Sequence, residues 1–216
     1  MRISVAIDGP AGAGKSTIAK ILAKKMDLMY INTGAMYRAI TLKATENNIH
    51  PENINGICDL LDSLNIYFHN DRIIVNGQDV DDEITHPSIS SKVASYASIN
   101  EVRQRLVKIQ RDMSSQFDII MDGRDIGTVV LKDADFKFYL TASADKRARR
   151  RYDELKAKNI LMPYDIILND IMKRDFDDTH RLIDPLTKAK DALVIDTTNL
   201  DIDEVVNRMH SIIMSN

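Results

Sequence analysis

Cys58 is the only cysteine in the 216 residues, so no disulfide can form within the chain and no cysteine-based metal cage can be built. It sits in Ile57-Cys58-Asp59-Leu60-Leu61, an amphipathic helical pattern, where a small buried side chain without chemistry of its own is expected. The five histidines (His50, His69, His86, His180 and His210) lack metal-ligand spacing, and zinc is not expected. A basic excess is missing as well. Lys and Arg number 29 against 32 Asp and Glu, a formal charge of −3, which argues against a nucleic-acid partner. No uncharged apolar run approaches a membrane span, and the first residues lead into a strand-like run with no charged segment and cleavage site. A cytoplasmic protein without a membrane partner is expected. Linker-like stretches, internal repeats and low-complexity tracts are absent too, and a hydrophobic content of 44% suffices for one core, so residues 1–216 are read as a single domain.

What is present begins with Gly9-Pro10-Ala11-Gly12-Ala13-Gly14-Lys15-Ser16-Thr17, which satisfies G-x-x-x-x-G-K-[ST]. The β-branched run at residues 3–7 precedes it, and Ile18, Ile21 and Leu22 follow at helical spacing, so the motif lies between a strand and a helix as it must. Gly9, Gly12 and Gly14 allow the backbone to curl its N–H groups into one concavity, and the helix adds its positive N-terminal end. Such a loop binds the polyphosphate of ATP or GTP. Lys15, expected at an exposed loop position, would reach the β- and γ-phosphates, and the Ser16 hydroxyl would ligate magnesium.

Strand-like runs at residues 3–7, 29–32, 118–121, 136–140 and 193–196 alternate with long helical patterns, the signature of a parallel sheet covered on both faces. Ligands in such folds sit beyond the carboxyl ends of the strands. Residues 64–80 break the alternation: short strand-like runs are separated by Asn70-Asp71 and Asn76-Gly77, marking a small antiparallel insert at about 64–84. The last helix is predicted to start after Asp201, with Glu204 completing a capping box. Guanine-specific switches are excluded, because neither Asp-x-x-Gly nor Asn/Thr-Lys-x-Asp occurs. Thr187-Lys188-Ala189-Lys190 has lysine where aspartate is needed.

Arginines stand at further strand ends. Thr33-Gly34-Ala35-Met36-Tyr37-Arg38 follows the second strand and opens a helix, and Asp122-Gly123-Arg124-Asp125 follows the third. The arginine fork suits a phosphate's oxygens, which points to a phosphate-bearing acceptor. Together GPAGAGKST, NTGAMYR, DGRDIGTVV and RDFDDTHR closely resemble the bacterial cytidylate kinase family, nucleoside-monophosphate kinases that move the γ-phosphoryl group of ATP to CMP or dCMP. The resemblance covers nearly the whole chain and includes the β insert.

It implies a three-layer P-loop α/β fold with a five-stranded parallel sheet, a nucleoside-monophosphate-binding subdomain at 33–105, a helical lid at 147–181, and ATP with magnesium as cofactors. By resemblance, Tyr37, Arg38 and Arg124 hold the acceptor phosphate, with Thr33 beside them where serine is common. Arg103, Asp125 and a serine read the cytosine: Ser95, with Ser91 and Ser98 as alternatives. Asp125 suits the exocyclic amino donor and Arg103 the ring-nitrogen acceptor; an ion pair of Asp125 with Arg124 is the plainer reading. Arg174 and Arg181 close over the phosphates, and Asp178 with Arg181 contacts the sugar. These three stand at i, i+4 and i+7, one face of a helix. Asp122, ending an apolar strand, would orient magnesium-bound water. Within Lys146-Arg147-Ala148-Arg149-Arg150-Arg151, Arg147 and Arg151 share a face toward the lid hinge, and most other charges are read as solvated. A monomer is expected. A kinase for UMP or AMP and a non-catalytic ATP-binding regulator are the competing readings.

Overall fold

The computed structural model describes residues 2–157 and 159–215. In chain order the elements are β1 (Ser4–Asp8), α1 (Lys15–Met26), β2 (Met29–Asn32), α2 (Thr33–Glu46), α3 (Ile54–Ser63), β3 (Ile66–His69), β4 (Arg72–Val75), β5 (Gln78–Asp79), α4 (Pro87–Ser90), α5 (Val93–Ala97) and α6 (Asn100–Gln116). There follow β6 (Ile119–Gly123), β7 (Phe136–Thr141), α7 (Ala144–Ala157), α8 (Tyr164–His180), β8 (Leu193–Asp196) and α9 (Ile202–Met214). A single π turn, Ile126–Val130, follows β6.

Two compact units emerge: one runs up to Tyr30 and resumes at Asp118, the other is Ile31–Phe117. The first is built on a five-stranded parallel sheet ordered β2-β6-β1-β7-β8, and the chain leaves this unit within β2. Central β1 pairs with β6 through Val5↔Ile120 and with β7 through Ile7↔Phe138. Its alternate residues Val5 and Ile7, with Ile120, Phe138, Leu140 and Ile195, face Ile18 and Leu22 of α1 and Val205, Met209 and Ile213 of α9. That is the period-2 sheet pattern meeting the 3.6-period helix pattern. The capping box forms as expected: Asp201 accepts from Glu204 N, and the Glu204 carboxylate accepts from Asp201 N, each at 2.8 Å.

The second unit carries the insert as an antiparallel sheet ordered β3-β4-β5. Its turns use Asn70 and Asp71 at φ 49° and 61° and Asn76 and Gly77 at φ 50° and 80°, left-handed values that match the twist of a two-residue hairpin. Cys58 lies half-buried on α3.

Candidate active site

The loop between β1 and α1 is residues 9–14. Gly9 has φ 143°, and a Cβ there would lie 2.0 Å from the Leu140 carbonyl oxygen; Gly12 has φ 76°. Both positions exclude a side chain, one by space and the other by torsion. Helix α1 starts directly at Lys15, so the unpaired amides of its first turn and its positive end sit at the loop, a ready anion site.

Lys15 departs from the exposed position expected of it. It is buried at 5% exposure, and its Nζ donates to the Pro10 carbonyl at 2.8 Å. Burial, helped by the positive charge of Arg124 and opposed by Asp122, Asp8 and Asp178, pulls its pKa down to about 7. Asp8 at the end of β1 is equally enclosed. Its two carboxylate oxygens accept from Ile126 N and Gly127 N at 2.8 Å each. Burial nevertheless lifts its pKa to about 6, against those two bonds and with the Asp125 charge adding to the rise. Asp8 thus ties the P-loop strand to the turn after β6.

Asp122 accepts from Ser16 Oγ through Oδ2 and from Tyr30 OH through Oδ1, both at 2.8 Å. A hydroxyl and a carboxylate oxygen side by side at a phosphate loop fit a hard cation such as magnesium. Among the described residues no group of three or more His, Cys, Asp or Glu forms a metal cage. That donor set suits an ion held by one or two protein oxygens together with phosphates and water.

Beyond β6 the charges pair crosswise. Arg124 Nε donates to Asp178 Oδ2 at 2.6 Å, and Arg181 Nη2 lies 3.2 Å from Asp125 Oδ1. Arg181 is thus one partner of Asp125, beside the Arg124 pair that the sequence suggested. Arg181 also lies outside the helix that was expected to carry it. It is the C-cap of α8, with φ −61° and ψ 144°, and its guanidinium hooks onto the Asp184 carbonyl oxygen. Only Arg174 and Asp178 share the face of α8, with Arg174 exposed.

In the second unit, Asn32 caps α2 by accepting from Ala35 N, which places Thr33 buried in the first turn and Tyr37 and Arg38 one turn on. A Cβ at Gly34 would lie 3.7 Å from Arg38 Nη2. Arg103, 2% exposed on α6, has its guanidinium carbon 5.7 Å from the centre of the Tyr37 ring, a cation–π distance. It also reaches the Ala97 carbonyl at 3.4 Å. Ser95 is exposed on α5; Ser98 and Ser91 turn their hydroxyls to the carbonyls of Ser95 and Ser88.

Asp8, Tyr30 and Asp175 at the first-unit site escaped the sequence reading, as did the contact that Arg147 makes. Asp8 ends an apolar run and was legible only as the residue before the loop. Tyr30 looked like strand filling, and its hydroxyl carries its role. Arg147 and Asp175 form a bidentate pair across 28 positions, a spacing that no periodicity marks.

A central strand feeding this loop, a lysine at the start of the next helix, and a serine against a strand-end aspartate define a P-loop kinase. The family model for cytidylate kinase matches residues 5–215. The cytidylate kinase of Clostridium acetobutylicum is 59% identical over 96% of this chain and 95% of its own length. That of Clostridium tetani is 57% identical over 100% and 95%. Shikimate kinase from Bacteroides thetaiotaomicron shares the fold, with a TM-score of 0.52 at 11% identity over 98% of both chains. The chain belongs to the cytidylate kinase family.

Proposed function

We infer that the protein transfers the γ-phosphoryl group of ATP to CMP or dCMP, giving ADP and CDP or dCDP. The observation that carries this reading is the P-loop with its enclosed Lys15, in a chain 59% identical to a cytidylate kinase over nearly its whole length. Residues 9–17 hold the triphosphate of the donor, with Lys15 set against its β- and γ-phosphates. Ser16 and Asp122 supply the protein's oxygens to magnesium, which when bound neutralises phosphate charge. Tyr37, Arg38 and Arg124 hold the acceptor phosphate, beside Thr33. Arg103, Asp125 and Ser95, or one of Ser91 and Ser98, read the cytosine.

Phosphoryl transfer through a loose transition state depends on positioning and charge neutralisation. Arg174 and Arg181 therefore cover the charge moving between donor and acceptor, and Asp178 with Arg181 contacts the sugar. Arg124 and Arg181 exchange their carboxylate partners for substrate as the acceptor enters. No general base is required, because a phosphate monoester is already ionised near neutral pH. We assign residues 33–105 to acceptor binding and 147–181 to the lid, and read the enzyme as a cytoplasmic monomer; no helix among the described residues is long and apolar enough to cross a membrane.

The deciding experiment is ADP formation from ATP with no acceptor and with each of CMP, dCMP, UMP and AMP. The expected result is turnover that requires an acceptor and is fastest with CMP or dCMP. Equal ADP formation without acceptor, or faster turnover with AMP or UMP, contradicts the assignment.

A further inference from the structure

Arg147 on α7 is 4% exposed, and its guanidinium is divided among three segments of the first unit. Nε donates to the Ala142 carbonyl, just past β7, at 2.9 Å. Nη1 donates to the Ala11 carbonyl inside the P-loop at 3.0 Å and to Asp175 Oδ1 on α8 at 2.9 Å. Nη2 donates to Asp175 Oδ2 at 2.6 Å. The root of the same side chain lies against the loop, since a Cβ on Gly12 would be 3.1 Å from Arg147 Cβ. Asp175 immediately follows Arg174 and stands three residues before Asp178 on α8.

The α7–α8 hairpin does not need this pair for cohesion. It has its own apolar cluster of Ala148, Leu155, Ile167 and Ile171, with Tyr152 and Tyr164 packed against it. A buried ion pair is seldom a net source of stability compared with apolar packing. What a bidentate fork adds is a fixed orientation, which a lysine's point charge does not supply.

The geometry points to Arg147 and Asp175 as a positioning pair that ties the ATP loop to the helix carrying Arg174 and Asp178, so that loop and lid move as one. This rests on the kinase reading above, with Arg174 acting at the phosphates. The Ala11 carbonyl sets where the guanidinium lies, and the guanidinium sets where α8 lies. Nucleotide that orders the loop thereby orders the lid arginine.

The test uses the full-length enzyme with Asp175→Asn, Arg147→Met and the double variant, each below its own melting temperature. In Asp175→Asn the loop contact survives and the lid contact is weakened. Its kcat is expected to fall about tenfold or more while KM for ATP stays within about twofold. Arg147→Met is expected to raise KM for ATP as well, and the double variant to lose no more kcat than Arg147→Met alone. A second readout is independent of turnover. A non-hydrolysable ATP analogue is expected to slow amide exchange at residues 9–17 and 170–180 of the wild type, but only at 9–17 of Asp175→Asn. Wild-type kcat in Asp175→Asn, losses that multiply in the double variant, or equal slowing at 170–180 overturns the inference. An inactive wild type would instead count against the kinase reading, and the exchange comparison would still decide the coupling. Arg147→Met, being buried, could fail to fold; half-exposed Asp175→Asn carries the test in that case.

Discussion

Two clusters of charge in the first unit are handled in opposite ways. At the loop, Lys15 is enclosed with a backbone carbonyl as its hydrogen-bond partner, and its pKa sits about 3.5 below the ordinary 10.5. Beyond β6, Arg124 and Arg181 each meet a carboxylate, at 2.6 and 3.2 Å. On the function proposed above, the donor side would hold a cation at a cost that a phosphate relieves, while the acceptor side would hold cations already neutralised and open to exchange. Binding at the first gains the unspent attraction of a desolvated charge. Binding at the second must displace a partner, which favours selectivity over raw affinity.

Removing the enclosed Lys15 should have the greatest consequence. Lys15→Met should keep the fold and lower kcat by at least about 10²–10³-fold, the scale of losing one preorganised charge donor. Steady-state rates at matched circular dichroism check it, and near-wild-type turnover would remove Lys15 from the chemistry.

On the acceptor side, Asp125→Ala should lose most of its kcat/KM for CMP and much less for UMP, because uracil offers no amino donor. A site built on such a bond discriminates by up to about 10⁴-fold, so the CMP to UMP ratio should fall visibly. An unchanged ratio would leave Asp125 with a structural role, such as its ion pair with Arg181.

Arg124→Ala should weaken CMP by about 1.5–3 kcal/mol, the worth of a hydrogen bond to a charged group, and leave ATP affinity nearly unchanged. Titrations with each nucleotide separate the two. A matching loss for ATP would place Arg124 at the donor phosphates instead of the acceptor's, since relief of its repulsion of Lys15 acts in the opposite direction.

The smallest expected effect concerns stability. The pKa of Lys15 is lower in the fold, so between pH about 7 and 10.5 the unfolded chain holds a proton the native state lacks, and stability rises with pH. The pKa of Asp8 is higher in the fold, so between pH 3.8 and about 6 the native state holds the extra proton, and stability falls as pH rises. Both charges weigh fully on the fold between about 6 and 7. Urea unfolding from pH 7 to 9 should show a rising limb, at most roughly 1.4 kcal/mol per pH unit, that Lys15→Met abolishes. An identical limb in the variant would assign it to another group.

The contrast between the two clusters follows what the chain makes legible. Five apolar runs located the five strands: β1 and β6, buried on both faces, read as continuous apolar segments, while the largely exposed β8 was legible from Leu193-Val194-Ile195 alone. Asn76-Gly77 and the Asp201 and Glu204 pair fixed a turn and a helix start, since both are local devices complete within a few residues. The loop was legible for the same reason. The burial of Lys15 and its lowered pKa were not, because both are tertiary facts: the charges acting on it include Asp122 on β6 and Arg124 just past it. Helical spacing foresaw the shared face of Arg174 and Asp178 and failed for Arg181, where the chain leaves α8 and turns its guanidinium to Asp184. The pairing of Asp178 with Arg124, 54 positions away, is likewise a tertiary fact.

Whether the fold keeps the Lys15 pKa low until phosphate arrives can be measured as proton uptake on ATP binding. Calorimetry at pH 8 in buffers of different ionisation enthalpy reports it directly, at a pH where ATP is fully ionised and Lys15, with its pKa near 7, is largely neutral. The expected result is uptake of close to one proton by the wild type and close to none by Lys15→Met, with CMP bringing none because the arginines proposed to hold it are charged at every accessible pH. ATP binding to the wild type without proton uptake would contradict it.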